Sequence, residues 1–145
     1  MTMQAQGFQE AVEGICASDG RYAPEAYAFL RDALETTFKR RKKEGKRVSG
    51  HVSANELLEG FRRHALQEFG PMTLTVLEYW GVRGCEDIGR IVFHLIEAKI
   101  LGKTEDDTIE KFREGFDFEE AFASPFRVDR QSLNANGRLD VRRIP

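Results

Sequence analysis

The sequence predicts an all-α fold: a compact bundle of about five to six helices around a buried central helix at 86–101, followed by a polar C-terminal tail. Three observations carry this. Apolar residues recur at three- and four-residue spacing through most of 7–122, the period of one helix face. Start and stop signals bracket these periodic stretches. One stretch, 86–101, is apolar around most of its circumference, which marks a helix surrounded by protein.

Phe8, Ala11, Val12 and Ile15 define a short first helix, closed by the Ser18-Asp19-Gly20 turn. Pro24 stands where a helix starts, because proline gives up no needed N–H there. A long helix follows, with Tyr27, Leu30, Leu34 and Phe38 on one stripe, a basic last turn, and Gly45 as its stop. Ser53 and Glu56 fit a capping box ahead of Leu57, Leu58, Phe61, Ala65 and Phe69, and Gly70-Pro71 ends that helix. A shorter helical stretch, 72–80, stops at Gly81. Glu86 and Asp87 open the central helix at the positive end of its dipole, and Gly102 is its expected stop. Thr104 and Asp107 read as a second capping box, leading to Ile109, Phe112 and Phe116. A last half-turn or two covers 117–122.

Residues 1–123 are therefore expected to form a single helical domain, and 124–145 an extended or flexible tail, with Asn136-Gly137 as a candidate hairpin turn. Strand signals are confined to 46–52 and this tail. A length of 145 residues with 41% hydrophobic content and eleven Phe is enough to build a self-sufficient core. The net charge of −2 gives no global attraction to nucleic acid or anionic lipid. No apolar run approaches the roughly 20 residues that span a bilayer. Met1 to Glu10 has neither the basic start nor the apolar stretch of a signal peptide. Cys16 and Cys85 have no CxxC spacing and are too few for a disulfide framework. These features predict a soluble, cytoplasmic protein with reduced thiols, no cofactor and no membrane partner.

Charge is unevenly placed. The segment 39–47 holds seven bases, Lys39, Arg40, Arg41, Lys42, Lys43, Lys46 and Arg47, against the single acid Glu44. These residues are candidates for nucleic-acid or anion binding, because Lys and Arg neutralise phosphates and release counterions. The competing explanation is a solvated helix end, where cations favour the negative dipole terminus. No aromatic interleaves with the run, as stacking on bases would require. The opposite polarity appears in 86–120, with eleven acids against five bases. Those acids also weaken a winged-helix reading of 80–107, whose outward face would repel a DNA backbone.

No catalytic or metal set emerges. His51, His64 and His94 lack the multi-ligand spacing of a metal site, Glu97 with His94 being a single pair. Cys85 precedes a helix start, which lowers a thiol pKa, but Glu86 and Asp87 push the other way. There is no glycine-rich phosphate loop and no GxSxG.

Ordered motifs do resemble a known family. His51-Val52-Ser53 with 56–60, Phe69-Gly70-Pro71, Trp80-Gly81-Val82, the run 86–93, Leu101-Gly102-Lys103-Thr104, Asp106-Asp107 and 117–122 together resemble a small, functionally uncharacterised family of bacterial proteins from planctomycete and verrucomicrobial lineages. The resemblance covers residues 22–122 and implies a core ending near Phe122, with the arginine-bearing tail an individual addition. It implies no activity, cofactor or catalytic residue. The functional expectation is thus a non-catalytic interaction module that binds a protein partner or itself. The alternative is RNA or ribosome association through 39–47 and the tail. An enzyme would require a concave site that gathers the histidines or Cys85 with carboxylates.

Overall fold

The computed structural model describes residues 2–3, 7–45, 51–103 and 107–127. It is an all-α bundle: α1 (Phe8–Ser18), α2 (Pro24–Lys43), α3 (Ala54–Phe69), α4 (Thr73–Tyr79), α5 (Cys85–Glu97), and the short α6 (Ile109–Arg113) and α7 (Phe118–Phe122). Three-residue 3-10 turns, Gly70–Met72 and Ser124–Phe126, precede α4 and follow α7. No helix among the described residues is long and apolar enough to cross a membrane.

The start signals act as the sequence implies. Pro24 occupies the first turn of α2. The Glu56 N–H donates to Ser53 Oγ (3.1 Å) and the Ser53 N–H to Glu56 Oε1 (3.3 Å), closing the capping box on α3. Asp117 Oδ1 accepts from the Glu120 N–H (3.0 Å) at the start of α7. Gly81 ends the α4 region at φ +88, and a Cβ there would stand 2.4 Å from the Arg21 carbonyl oxygen. That close approach lets the Ala23 N–H reach the Trp80 carbonyl (3.0 Å), which ties the start of α2 to the end of α4.

Helix α5 is central, as its all-round apolarity predicts: Cys85, Ile88, Gly89, Ile91, Val92 and Leu95 are buried and only Glu97 is exposed. It packs on α1, α2 and α6, while α3 packs on α2, α4, α6 and α7. The core is one cluster running from Val12 to Phe122. Within it and at its edge Phe29 gathers Phe61, Phe69 and Trp80 at centroid distances of 5.1–5.5 Å, and Phe116, Phe118 and Phe122 form a second aromatic group at 5.1–5.7 Å.

Three local expectations are corrected. First, the central helix ends at Glu97 and does not reach 101. The Ile100 N–H bonds the Leu95 carbonyl (2.9 Å) and the Lys99 N–H the Ile96 carbonyl (3.0 Å), with Lys99 at φ 62. This is a Schellman ending with lysine where glycine is usual, and it turns buried Ile100 back toward the core. Second, Leu101–Gly102 is extended and pairs antiparallel with Thr2–Met3, a two-residue bridge outside the expected strand regions. Partner availability creates this bridge, not β-propensity. Third, α6 starts at Ile109 after Thr108 rather than from a Thr104–Asp107 box. Thr104 lies outside the described residues, and Asp107 is buried before the helix. Of the strand-like 46–52 stretch, His51 and Val52 are described and form no strand; the candidate hairpin at 136–137 lies outside the described residues.

Candidate interaction surfaces

The basic segment divides in two. Arg41 lies on the side of α2 that carries the core residues Leu30, Leu34 and Thr37. Its Nη1 donates to the His51 carbonyl (2.5 Å) and its Nε lies 3.3 Å from Glu56 Oε2. Arg41 thereby fastens the end of α2 to the start of α3, a structural task. Lys39, Lys42 and Lys43 are exposed and Arg40 is half-buried, and none of the four makes an ion pair among the described residues. Lys46 and Arg47 lie outside the described residues.

Some acids of the acidic segment are paired within the fold. Arg90 pairs with Glu86 (3.1 Å) and Asp87 (3.0 Å), Arg113 pairs with Glu86 (3.0 Å), and Arg127 pairs with Glu119. Arg90 and Arg113 belong to the segment's own five bases, so these pairs leave its excess of acids in place, and among the pairs named only Arg127 comes from outside it.

The titratable groups named from the sequence do not converge. His64 stacks on Phe29 at 4.7 Å. His51 is exposed beside Arg41. Cys85 is buried and donates to the Phe116 carbonyl (3.3 Å), and burial pushes its thiol up to about 11. His94 has the richest surroundings. Its Nδ1 is 2.8 Å from the hydroxyl of fully buried Tyr27, and its Nε2 is 3.7 Å from Asp19 Oδ2. Burial raises the Tyr27 hydroxyl well above the usual tyrosine range, so Tyr27 keeps its proton in its hydrogen bond with Nδ1.

Next to it, the Tyr22 hydroxyl donates to Asp87 Oδ1 (2.5 Å), and Asp87 Oδ2 accepts from the Arg83 N–H (2.8 Å). Burial and the Asp87 carboxylate hold the Tyr22 proton in place as well. These bonds join residues 65 and 67 apart in sequence and lock the α1–α2 turn onto α5. Two shallow clefts flank His94 and Glu97, one edged by Ser18 and Asp19, the other by Arg90, Lys103 and Thr108, and none of His51, His64 or Cys85 lines them. Every member of the cluster has a structural partner, and no group of three His, Cys, Asp or Glu able to hold a metal occurs among the described residues.

Exposed apolar surface appears elsewhere. Tyr79 is 88% exposed and Met72 55% exposed. With half-buried Val76 between them, their spacing of four and three residues puts all three on one side of the 70–79 segment. The 72–80 stretch carries no sequence signal that marks Tyr79 as outward.

The fold and its surfaces define a small helical bundle with an aromatic-rich core and two outward features, one apolar and one cationic. Compared with known protein families, curated proteins and solved structures, the chain finds no match in any of the three.

Proposed function

We propose that the chain is a non-catalytic helical module that binds a protein partner through the face formed by Met72, Val76 and Tyr79. The observation that carries this reading is the 88% exposure of Tyr79, on a short helix whose Leu77 is fully buried. A large aromatic held outward on a rigid element presents contact area at low entropic cost, and tyrosine is enriched among residues that dominate binding energy. A flexible methionine beside it adapts to a partner's relief. The His94 cluster supports the non-catalytic part of this reading, since its groups bond one another and join the α1–α2 region to α5.

The test is affinity purification from the native cell with wild-type chain and with a Met72→Ser, Tyr79→Ser variant of unchanged circular dichroism. Proteins retained by the wild type and lost by the variant support the reading. Recovery of the same proteins by both overturns it, as does a wild-type chain that retains none.

A further inference from the structure

We infer that the C-terminal turn of α2 is a second, independent binding surface, one that holds consecutive phosphates of a nucleic-acid strand without reading its bases. The argument rests on how the structure sorts the basic run. At about 100° per residue, with Lys39 placed at 0°, Arg40 falls near 100°, Lys42 near −60° and Lys43 near 40°. The four cations thus share an arc of about 160°, while Arg41 sits near 200°, on the side where Leu30, Leu34 and Thr37 are buried. Arg41 is bound to Glu56 and the His51 carbonyl; the other four are not paired within the described residues.

A solvated helix end accounts for this poorly. One or two cations satisfy a helix terminus, whose field fades within a turn. Here Lys39–Lys42 and Arg40–Lys43 are at i,i+3 and Lys39–Lys43 at i,i+4, spacings at which like charges repel. An anionic strand relieves that repulsion. The four charges occupy about 6 Å of helix, a compact site for neighbouring phosphates rather than for scattered carboxylates. None of the exposed large apolar side chains, Met72, Tyr79 and Phe126, lies on α2. Among the described residues the surface therefore offers no exposed large apolar side chain to stack on a base or to insert into a lipid layer.

The experiment is fluorescence anisotropy of the full chain with mixed-sequence RNA and DNA single strands of about 20 nucleotides, longer than one small-domain site. Both are expected to bind alike. With four phosphates neutralised, the log–log salt slope is about −3, so a fourfold rise in salt weakens binding about 50-fold. A variant carrying Lys39→Gln, Arg40→Gln, Lys42→Gln and Lys43→Gln, folded by circular dichroism, is expected to lose binding. The milder Lys42→Gln, Lys43→Gln pair is expected to halve the slope. Arg41→Gln is expected to lower Tm yet bind the strand like the wild type, and Tyr79→Ser to leave binding unchanged. The inference is overturned if the wild type fails to bind at low salt, if binding ignores salt, or if the quadruple variant binds as tightly as the wild type. It is equally overturned if phosphatidylserine vesicles bind more tightly than the strand with the same dependence on these four residues, since the partner is then a membrane.

Discussion

Replacing Gly60 by alanine separates the intrinsic preference of a helix from the packing demanded by its neighbour. Gly60 lies inside α3, where alanine ordinarily gains about 1 kcal/mol over glycine. In this fold the added Cβ would stand 2.0 Å from Thr37 Oγ1 and 3.3 Å from Thr37 Cβ, across the α2–α3 contact. Thr37 cannot simply rotate away. It is buried, its hydroxyl donates to the Ala33 carbonyl (2.7 Å), and a β-branched side chain in a helix has few rotamers. Overpacking of this kind costs about 1–3 kcal/mol. The expected balance, once the helix gain is subtracted, is a net destabilisation of up to about 2 kcal/mol. At this chain length that lowers Tm by up to roughly 7 °C. Urea unfolding of the wild type, Gly60→Ala, Thr37→Ala and the double variant checks it, with the double variant less damaged than the two singles added together. If Gly60→Ala raises stability, or the two substitutions simply add, the close approach of α2 and α3 is not what selects glycine at this position.

Lys99→Gly should act in the opposite direction. A lysine at φ 62 carries a left-handed penalty of about 1–2 kcal/mol, partly offset by glycine's larger unfolded-state entropy, so a gain of about 0.5–1 kcal/mol is expected in urea melts. Unchanged or reduced stability would show that the lysine side chain contributes more than its backbone strain costs. Cys85 should resist iodoacetamide in the native chain at pH 8 and react once urea is added, read by mass spectrometry of its peptide; equal rates in both would refute its burial. Burial pushes the thiol up to about 11 from an ordinary 9.0, so its contribution to stability is intact below pH 9 and lost as pH climbs through 11.

Local chemistry made several elements legible. Pro24, the Ser53–Glu56 box and Gly81 act at short range, through a missing donor, a reciprocal pair of hydrogen bonds and a permitted positive φ. Each works within a few residues, so a reader of the chain can see it. The apolar circumference of 86–97 is equally local, and it placed α5 at the centre correctly. Spacing alone extends this helix past Glu97, because Ile100 and Leu101 keep the helical period. Their burial is achieved by a Schellman turn and a strand bridge to Thr2–Met3, and that bridge depends on a segment about two-thirds of the chain away.

By itself, then, the sequence determined the helical class, the stops and caps, the central helix and the existence of a dense basic run. Only the tertiary structure decided which of those bases are bound within the fold. Arg41 and Lys42 are adjacent in sequence and alike in charge, but 100° of helix rotation turns one toward Glu56 and leaves the other in solvent. The same holds for Tyr27 and Tyr79. Tyr27, on the apolar stripe of α2, is fully buried against His94, while Tyr79 is 88% exposed, an outcome its helical stretch alone does not reveal. Composition and spacing are properties of the chain; the partner a side chain meets is a property of the fold, because it is set by elements that sequence distance does not bring together.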